Sequence, residues 1–328
     1  MSKFSLNFHR RLSIAPMLDF TDRHERYLLR LLSKNVLLYT EMIAANALFH
    51  SGEQFLLHHP IENPVALQLG GSDPQMLAEC AKKVENAGFD EVNLNCGCPS
   101  ERVQSGSFGA ILMKRKELVA ECVAAMKNSV KIPVTVKTRI GVDEFSGQAF
   151  LEDFIRTLAD AGADAFIVHA RTARLRGYSP KENREKPSID YGAVYKLKED
   201  FPDLNISING DIKTLENAKG HLQKVDGVMM GRAVYANPWI LSHADSEIFG
   251  AEDASPKSRK DLLLAYLPYV ERAMREGCPL SILVKHLLGL FAGMPGGKNF
   301  RRILSERTPG ATDGPKLIRE AMAVVEEV

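Results

Sequence analysis

The feature that most constrains this chain is a repeated alternation. Eight short runs rich in apolar and β-branched residues lie at 12–15, 36–40, 65–69, 91–95, 134–138, 165–169, 205–209 and 227–230. Near-continuous apolar runs of this length are typical of parallel strands covered on both faces. Stretches of helical periodicity separate most of them. Ser72-Asp73-Pro74 offers a cap and a first-turn proline to a helix over 74–87, which Gly88 ends. A second helix over 150–161 ends at Gly162, and a third over 214–222 follows Asp211. Gly88-Phe89-Asp90 and Gly162-Ala163-Asp164 repeat one form, a helix-ending glycine and then the next strand. Strands alternating with helices make βα units and a parallel sheet. Eight such units in about 240 residues fit a closed (β/α)8 TIM barrel. An open doubly wound sheet is the rival, but it usually has fewer strands, and no GxGxxG follows the first run.

Beyond Trp239 the pattern changes. Residues 243–260 are polar, with Gly250 and Pro256, and read as a linker. Residues 261–328 show helical periodicity and no strand: Leu262, Leu263, Tyr266, Leu267 and Val270 fall on one face, and further helices are expected over 281–291 and 314–325. The expected organisation is a catalytic barrel over 1–242, a linker over 243–260 and a small all-helical domain over 261–328. Apolar residues at 45% and charged residues at 25% exclude a collagen-like, disordered or disulfide-scaffold chain. The five cysteines are odd in number and form no CxxC pair, which argues against a disulfide framework and a zinc site, so no metal is expected. The N-terminus lacks the apolar core of a signal peptide. No apolar run reaches the ~18 residues of a membrane span, and the best candidate, 282–294, is broken by Lys285 and His286. A cytoplasmic monomer without membrane association is the expectation. With 42 Lys+Arg against 41 Asp+Glu, any nucleic-acid partner would need a local basic patch.

In a barrel, chemistry occupies the C-terminal ends of the strands. Those ends read Ala15-Pro16-Met17, Thr40-Glu41-Met42, Gln68 before Gly70-Gly71, Asn95-Cys96-Gly97-Cys98-Pro99-Ser100, Lys137-Thr138-Arg139, His169-Ala170-Arg171, Asn209-Gly210-Asp211 and Gly231-Arg232. A lone strand-end histidine or lysine is commonly structural. Polar groups at seven of the eight ends, all but the first, form a ring. Barrel phosphate sites commonly lie between the loops after strands seven and eight. There Gly210 and Gly231 would let the backbone approach, and Arg232 suits bidentate contact. The attached ring system would then meet Gln68, Lys137 and His169. A lysine suits the charge that develops near N1 of a reduced flavin, so flavin mononucleotide (FMN) fits this set better than a dinucleotide. A Schiff-base enzyme using Lys137 is the alternative, and it leaves Gln68 and the cysteine loop without roles. Cys98 lies in a turn between Gly97 and Pro99 facing the mouth, whereas Cys80 and Cys122 sit in helical patterns and Cys96 can point into the wall. A thiol of ordinary pKa ~8.5 is mostly protonated at neutral pH and can act as a general acid opposite a hydride donor.

These motifs resemble the dihydrouridine synthases, FMN-dependent enzymes that reduce uridine in tRNA. The matching stretches are Ala15-Pro16-Met17, Gln68-Leu69-Gly70-Gly71, Asn93-Leu94-Asn95-Cys96-Gly97-Cys98-Pro99, Val136-Lys137-Thr138-Arg139-Ile140-Gly141, Val168-His169-Ala170-Arg171-Thr172, Ile208-Asn209-Gly210-Asp211 and Met230-Gly231-Arg232-Ala233. The resemblance covers almost the whole chain and is nearest to the bacterial branch acting on D-loop positions 20 and 20a. It implies that Pro16, Met17, Leu18, Gln68, Lys137, His169, Asn209, Gly210, Asp211, Gly231 and Arg232 line the FMN site. It also implies that Asn95 contacts the substrate nucleotide. By the same resemblance NADPH reduces FMN, the flavin N5 hydride goes to C6 of uracil, and Cys98 delivers the proton to C5. One departure is Asp211, where many relatives have a second glycine.

Two windows are locally basic. Residues 171–186 hold Arg171, Arg174, Arg176, Lys181, Arg184 and Lys186 against Glu182 and Glu185. Residues 285–307 hold Lys285, Lys298, Arg301, Arg302 and Arg307 against Glu306. Within them Arg171, Lys181, Arg184, Lys298, Arg301 and Arg302, together with Arg139, are the expected tRNA contacts, provided the helical domain folds over the mouth. A small-molecule flavoenzyme of the dihydroorotate dehydrogenase kind would share the barrel but need neither basic window. An RNA-binding module that had lost catalysis would have no use for Cys98, Lys137 and His169.

Overall fold

The computed structural model describes residues 3–326. Its eight strands are β1 Leu12–Ile14, β2 Leu38–Ala44, β3 Val65–Gly70, β4 Glu91–Asn95, β5 Val134–Arg139, β6 Ala165–His169, β7 Ile206–Asn209 and β8 Gly227–Met230. From β2 to β8 each strand pairs in parallel with the next, and β1 pairs with β8. The remaining gap closes at the parallel bridge Ser13–Leu37, where the Ile14 N–H donates to Leu37 O at 2.9 Å. This is the expected TIM barrel rather than the open sheet. β2 differs in extent, running to Ala44 with a register shift between Tyr39 and Met42. Thr40 and Glu41 therefore lie within the strand. They sit at the shift without a register partner on β3, and the Thr40 hydroxyl accepts from the Gln68 N–H at 3.1 Å.

The repeated Gly-x-Asp form is a rim device. Gly88 (φ 88°) and Gly162 (φ 100°) take the left-handed conformation that ends a helix with least strain in glycine. The aspartate two residues on then reaches back. Asp90 accepts from the Val65 N–H at 2.9 Å, and Asp164 accepts from the Val134 N–H at 2.8 Å. Asp226 does the same for the Ile206 N–H at 2.9 Å. These are the first residues of β3, β5 and β7, whose N–H groups need a partner at the barrel rim.

The stretch expected as a linker holds the helix Ala244–Phe249. Its Asp245 is fully buried and accepts from Ser33 Oγ at 2.6 Å and the Lys34 N–H at 2.9 Å. Polar composition there signals a buried fastening rather than an exposed tether. The helices Arg259–Arg275, Leu280–Val284, Gly297–Arg307 and Gly314–Ala323 follow. The first of the two further expected helices is shorter than 281–291, because residues 285–287 tighten into a 3-10 turn. Gly297–Arg307 was not expected as a helix, since only Gly297, Phe300 and Leu304 among its residues are buried and the apolar stripe is faint.

These helices pack on the loop after β1 and on the helix Arg23–Arg30. Tyr27 stacks on Tyr269 with ring centroids 3.9 Å apart. Asp22 caps Arg23–Arg30 and also pairs with Lys285 Nζ and His286 Nε2, each at 2.9 Å. Those partners hold its carboxyl well below the usual range against the opposing effect of burial. Among the described residues no helix is long and apolar enough to cross a membrane.

Candidate active site

Side chains two apart on a strand share a face. Glu91, Asn93 and Asn95 on β4 therefore line up, as do Thr135, Lys137 and Arg139 on β5. The register puts Gln68, Asn93 and Thr135 on one rung, Asn95 beside Lys137, and Arg139, His169 and Asn209 on another. Gln68, Asn93 and Thr135 are all buried within the barrel.

Asn95 shapes the cysteine loop. Its Oδ1 accepts from the N–H groups of Gly97 and Cys98 at 3.1 and 3.0 Å, and its Nδ2 donates to Gln68 Oε1 at 2.8 Å. The Ala110 N–H donates to Cys98 O at 2.8 Å. Cys98 itself is half-buried, whereas Cys80, Cys96 and Cys122 are buried. Burial drives the Cys96 thiol far above its ordinary pKa, which keeps it protonated and inert. Arg139 Nε donates to Gly97 O at 2.9 Å, and Nη1 donates to Asn183 O at 3.0 Å. It thereby ties the cysteine loop to the loop after β6.

Across the mouth, Lys137 Nζ donates to Asn209 Oδ1 at 3.1 Å, and Asn209 Nδ2 donates to Met229 O at 2.8 Å. Burial, with the Arg139 guanidinium beside it, pulls the Lys137 ammonium down to about 7. His169 is held neutral by burial and then by the charges of Arg139, Lys137, Arg171 and Arg232. Its Nδ1 is buried without a hydrogen-bond partner, and so is Nη1 of Arg171. Arg171 Nε donates to Pro187 O at 3.0 Å. A Cβ on Gly210 would lie 3.3 Å from the His169 ring, so glycine keeps that contact open.

Asp211 takes a positive φ of 55°, which explains why glycine suits this position. Its carboxylate lies 3.6 Å from Arg171 Nη2 and 3.8 Å from Arg232 Nη2. Arg232 also meets Glu185 at 3.3 Å. Pro16, Met17 and Leu18 form the loop after β1, where the Met17 N–H donates to Thr21 Oγ1 at 2.9 Å and Leu18 is 61% exposed. A Cβ on Gly231 would meet Met17 Sδ at 3.5 Å, which joins this loop to the end of β8.

The residues present fit a phosphorylated flavin. Buried imidazole and guanidinium nitrogens lack partners, a lysine of lowered pKa sits beside them, and Gly210 and Gly231 lie at the ends of β7 and β8. Neutral and charged donors then surround one mouth, which suits an anionic group and a ring that gains electrons.

The residues expected to meet a nucleic acid divide in two. Arg139 and Arg171 are buried, at 4% and 6% exposure, and their donors reach backbone carbonyls. Lys181, Arg184, Lys298, Arg301 and Arg302 are exposed. The last three sit at i, i+3 and i+4 on Gly297–Arg307, so they share a face. Sequence reasoning passed over Arg10, Glu91 and Thr135, and it took Asn93 only as part of a motif. The signal for Glu91, Asn93 and Thr135 was polar residues at period two inside apolar runs, which a barrel interior can hold; Arg10 lies before β1 and carried no such signal.

Solved structures share the fold. A 2-naphthoyl-CoA reductase in complex with 2-naphthoyl-CoA aligns with a TM-score of 0.58 at 11% identity, over 73% of this chain and 50% of that one. Morphinone reductase in complex with tetrahydroNAD aligns with a TM-score of 0.51 at 14% identity, over 75% and 88%. These likenesses show the TIM-barrel fold. The family model described as dihydrouridine synthase matches residues 13–324, and this chain belongs to that family. A tRNA-dihydrouridine(20/20a) synthase of Escherichia coli (strain K12) is 53% identical over 98% of this chain and 94% of its own length. One of Vibrio cholerae is 52% identical over 96% of each.

Proposed function

We propose that this chain reduces uridine to 5,6-dihydrouridine in the D-loop of tRNA, at positions 20 and 20a, with FMN as cofactor and NADPH as reductant. The reading is carried by Cys98, held at the same mouth as the unpartnered nitrogens of His169 and Arg171. The names of relatives more than half identical over nearly the whole chain support it. Bound at this mouth, FMN would supply a hydride to the pyrimidine ring. Arg171, Arg232 and the backbone at Gly210 and Gly231 would hold its phosphate, and Lys137, His169, Gln68 and Asn209 would hold its ring. Pro16, Met17 and Leu18 would line the same site, and Asp211 would orient the two arginines.

Cys98 delivers the proton to C5 of the uracil, within a loop whose shape Asn95 and Arg139 set. The target base must leave its stack to reach this depth. Lys181 and Arg184 on one side, and Lys298, Arg301 and Arg302 on the other, hold phosphates around it. An enzyme acting on a small pyrimidine would have no need of that second group. Single-turnover reduction of unmodified tRNA by flavin-loaded protein tests the assignment. Cys98→Ala should keep its flavin and slow the reaction by about 10²–10⁴-fold. A wild-type rate in that variant removes Cys98 from the proton step.

A further inference from the structure

A file of hydrogen bonds crosses the barrel interior from its N-terminal end to the cysteine loop. At the inner end Glu91 Oε2 accepts from Arg10 Nε at 3.0 Å and Nη2 at 2.7 Å. Glu91 Oε1 accepts from the hydroxyls of Tyr39 and Thr135, each at 2.5 Å. Asn93 Nδ2 donates to Thr135 Oγ1 at 2.8 Å, and Gln68 Nε2 donates to Asn93 Oδ1 at 2.7 Å. Asn95 Nδ2 donates to Gln68 Oε1, and Asn95 Oδ1 accepts from the Gly97 and Cys98 N–H groups. Glu91, Thr135 and Asn93 are fully buried and Gln68 is 1% exposed, so no water competes along this path.

The direction of donation is fixed at both ends. A carboxylate beside a guanidinium only accepts, and a backbone N–H only donates. The oxygen and nitrogen of an amide are otherwise interchangeable in position. Between these ends the three amides and one hydroxyl have a single arrangement that satisfies every member. In that arrangement Asn95 turns its oxygen to the cysteine loop, and Gln68 keeps one Nε2 hydrogen beyond the file. Burial pushes the Tyr39 phenol far above its ordinary pKa, so it remains a donor to Glu91.

We infer that Glu91, Thr135 and Asn93 are positioning residues for the reaction: the charge of Glu91, passed through Thr135 and Asn93, sets which way the Gln68 and Asn95 amides face and thereby the shape of the loop that carries Cys98. The inference rests on the proposed roles of Gln68 toward the cofactor and of Cys98 as proton donor.

Thr135→Val separates this role from general packing. It keeps the branched shape and the Glu91–Arg10 pair but leaves Asn93 Nδ2 without its acceptor. Thr135→Ser restores the hydroxyl. Ser207→Ala removes another buried hydroxyl of the barrel wall, outside the file, and reports the general effect of such a loss. Two readouts are compared: FMN affinity by fluorescence titration, and the rate of iodoacetamide labelling at the Cys98 peptide in flavin-free protein. Thr135→Val should weaken FMN binding about tenfold, the scale of one unsatisfied buried group, and change the Cys98 labelling rate severalfold. Thr135→Ser should match wild type in both. The inference is overturned if Thr135→Val matches wild type in both, or if Ser207→Ala moves both as far. Should the wild-type protein bind no FMN, the cofactor assignment falls, and the labelling comparison alone still decides the file.

Discussion

The interior of the barrel and its mouth are built from the same strands and treat polarity in opposite ways. In the interior, Arg10, Glu91, Thr135, Asn93 and Gln68 are linked donor to acceptor in one file. At the ends of β5 to β7, Lys137 is pulled down to about 7, His169 Nδ1 and Arg171 Nη1 lack partners, and Asp211 sits at φ 55°. Thr135 and Lys137 are two residues apart on one strand, and they fall on either side of this divide. Buried polar groups left unpaired are unfavourable by about 1–3 kcal/mol each. The interior is complete once the chain folds; the mouth is completed by what binds there.

The sharpest way to break that contrast is to remove Glu91. Glu91→Ala strands the buried Arg10 guanidinium and should lower stability by about 3–5 kcal/mol in urea unfolding. A loss under about 1 kcal/mol would mean the interior file is not the firm part. At the mouth the expected effect is on binding instead. A bound acceptor favours the Lys137 ammonium, so above pH 7 flavin binding takes up a proton. FMN affinity should therefore fall as pH rises from 7 toward 9, by up to about tenfold per unit. Lys137→Met should bind more weakly and flatten that dependence; a pH profile like that of wild type would clear Lys137 of the role.

Lys298→Ala/Arg301→Ala should weaken tRNA binding about tenfold and reduce the salt slope by nearly 2, with unfolding unchanged. Unaltered affinity and slope would take the helix Gly297–Arg307 out of the interface. The smallest effect concerns Asp211. Asp211→Gly relieves a positive-φ side chain but frees Arg171 and Arg232 of the carboxylate that orients them, and should weaken FMN binding about two- to fivefold. Tighter binding would show that its charge does more harm than its hold on the arginines does good.

The barrel was legible because its strands are buried on both faces and their apolar runs survive reading in one dimension. Gly88 and Gly162 marked helix ends for a backbone reason that operates at each position separately. What escaped was set by tertiary context. β2 continues past Thr40 and Glu41 because a register shift takes up both residues and the Thr40 hydroxyl accepts from the Gln68 N–H at 3.1 Å. The helix Ala244–Phe249 hid in a polar stretch because Asp245 is buried against Ser33 and Asn35. Arg139 and Arg171 counted as surface charges by type, although both are buried, Arg139 against backbone carbonyls and Arg171 between Pro187 O and the Asp211 carboxylate. The net charge of +1 concealed two basic windows, of which the exposed part is smaller than the count of arginines suggested. Glu91 and Thr135 were read as ordinary members of strands. Their function lies in what their neighbours on β3, β4 and β5 accept and donate.

The most direct test is to incubate the purified protein with NADPH and tRNA that lacks dihydrouridine, and then to map the D-loop base by base. NADPH should be consumed in proportion to dihydrouridine formed at positions 20 and 20a, and only slowly when tRNA is omitted. Equal consumption without tRNA, or a D-loop left unreduced while a small pyrimidine is turned over, would contradict the account.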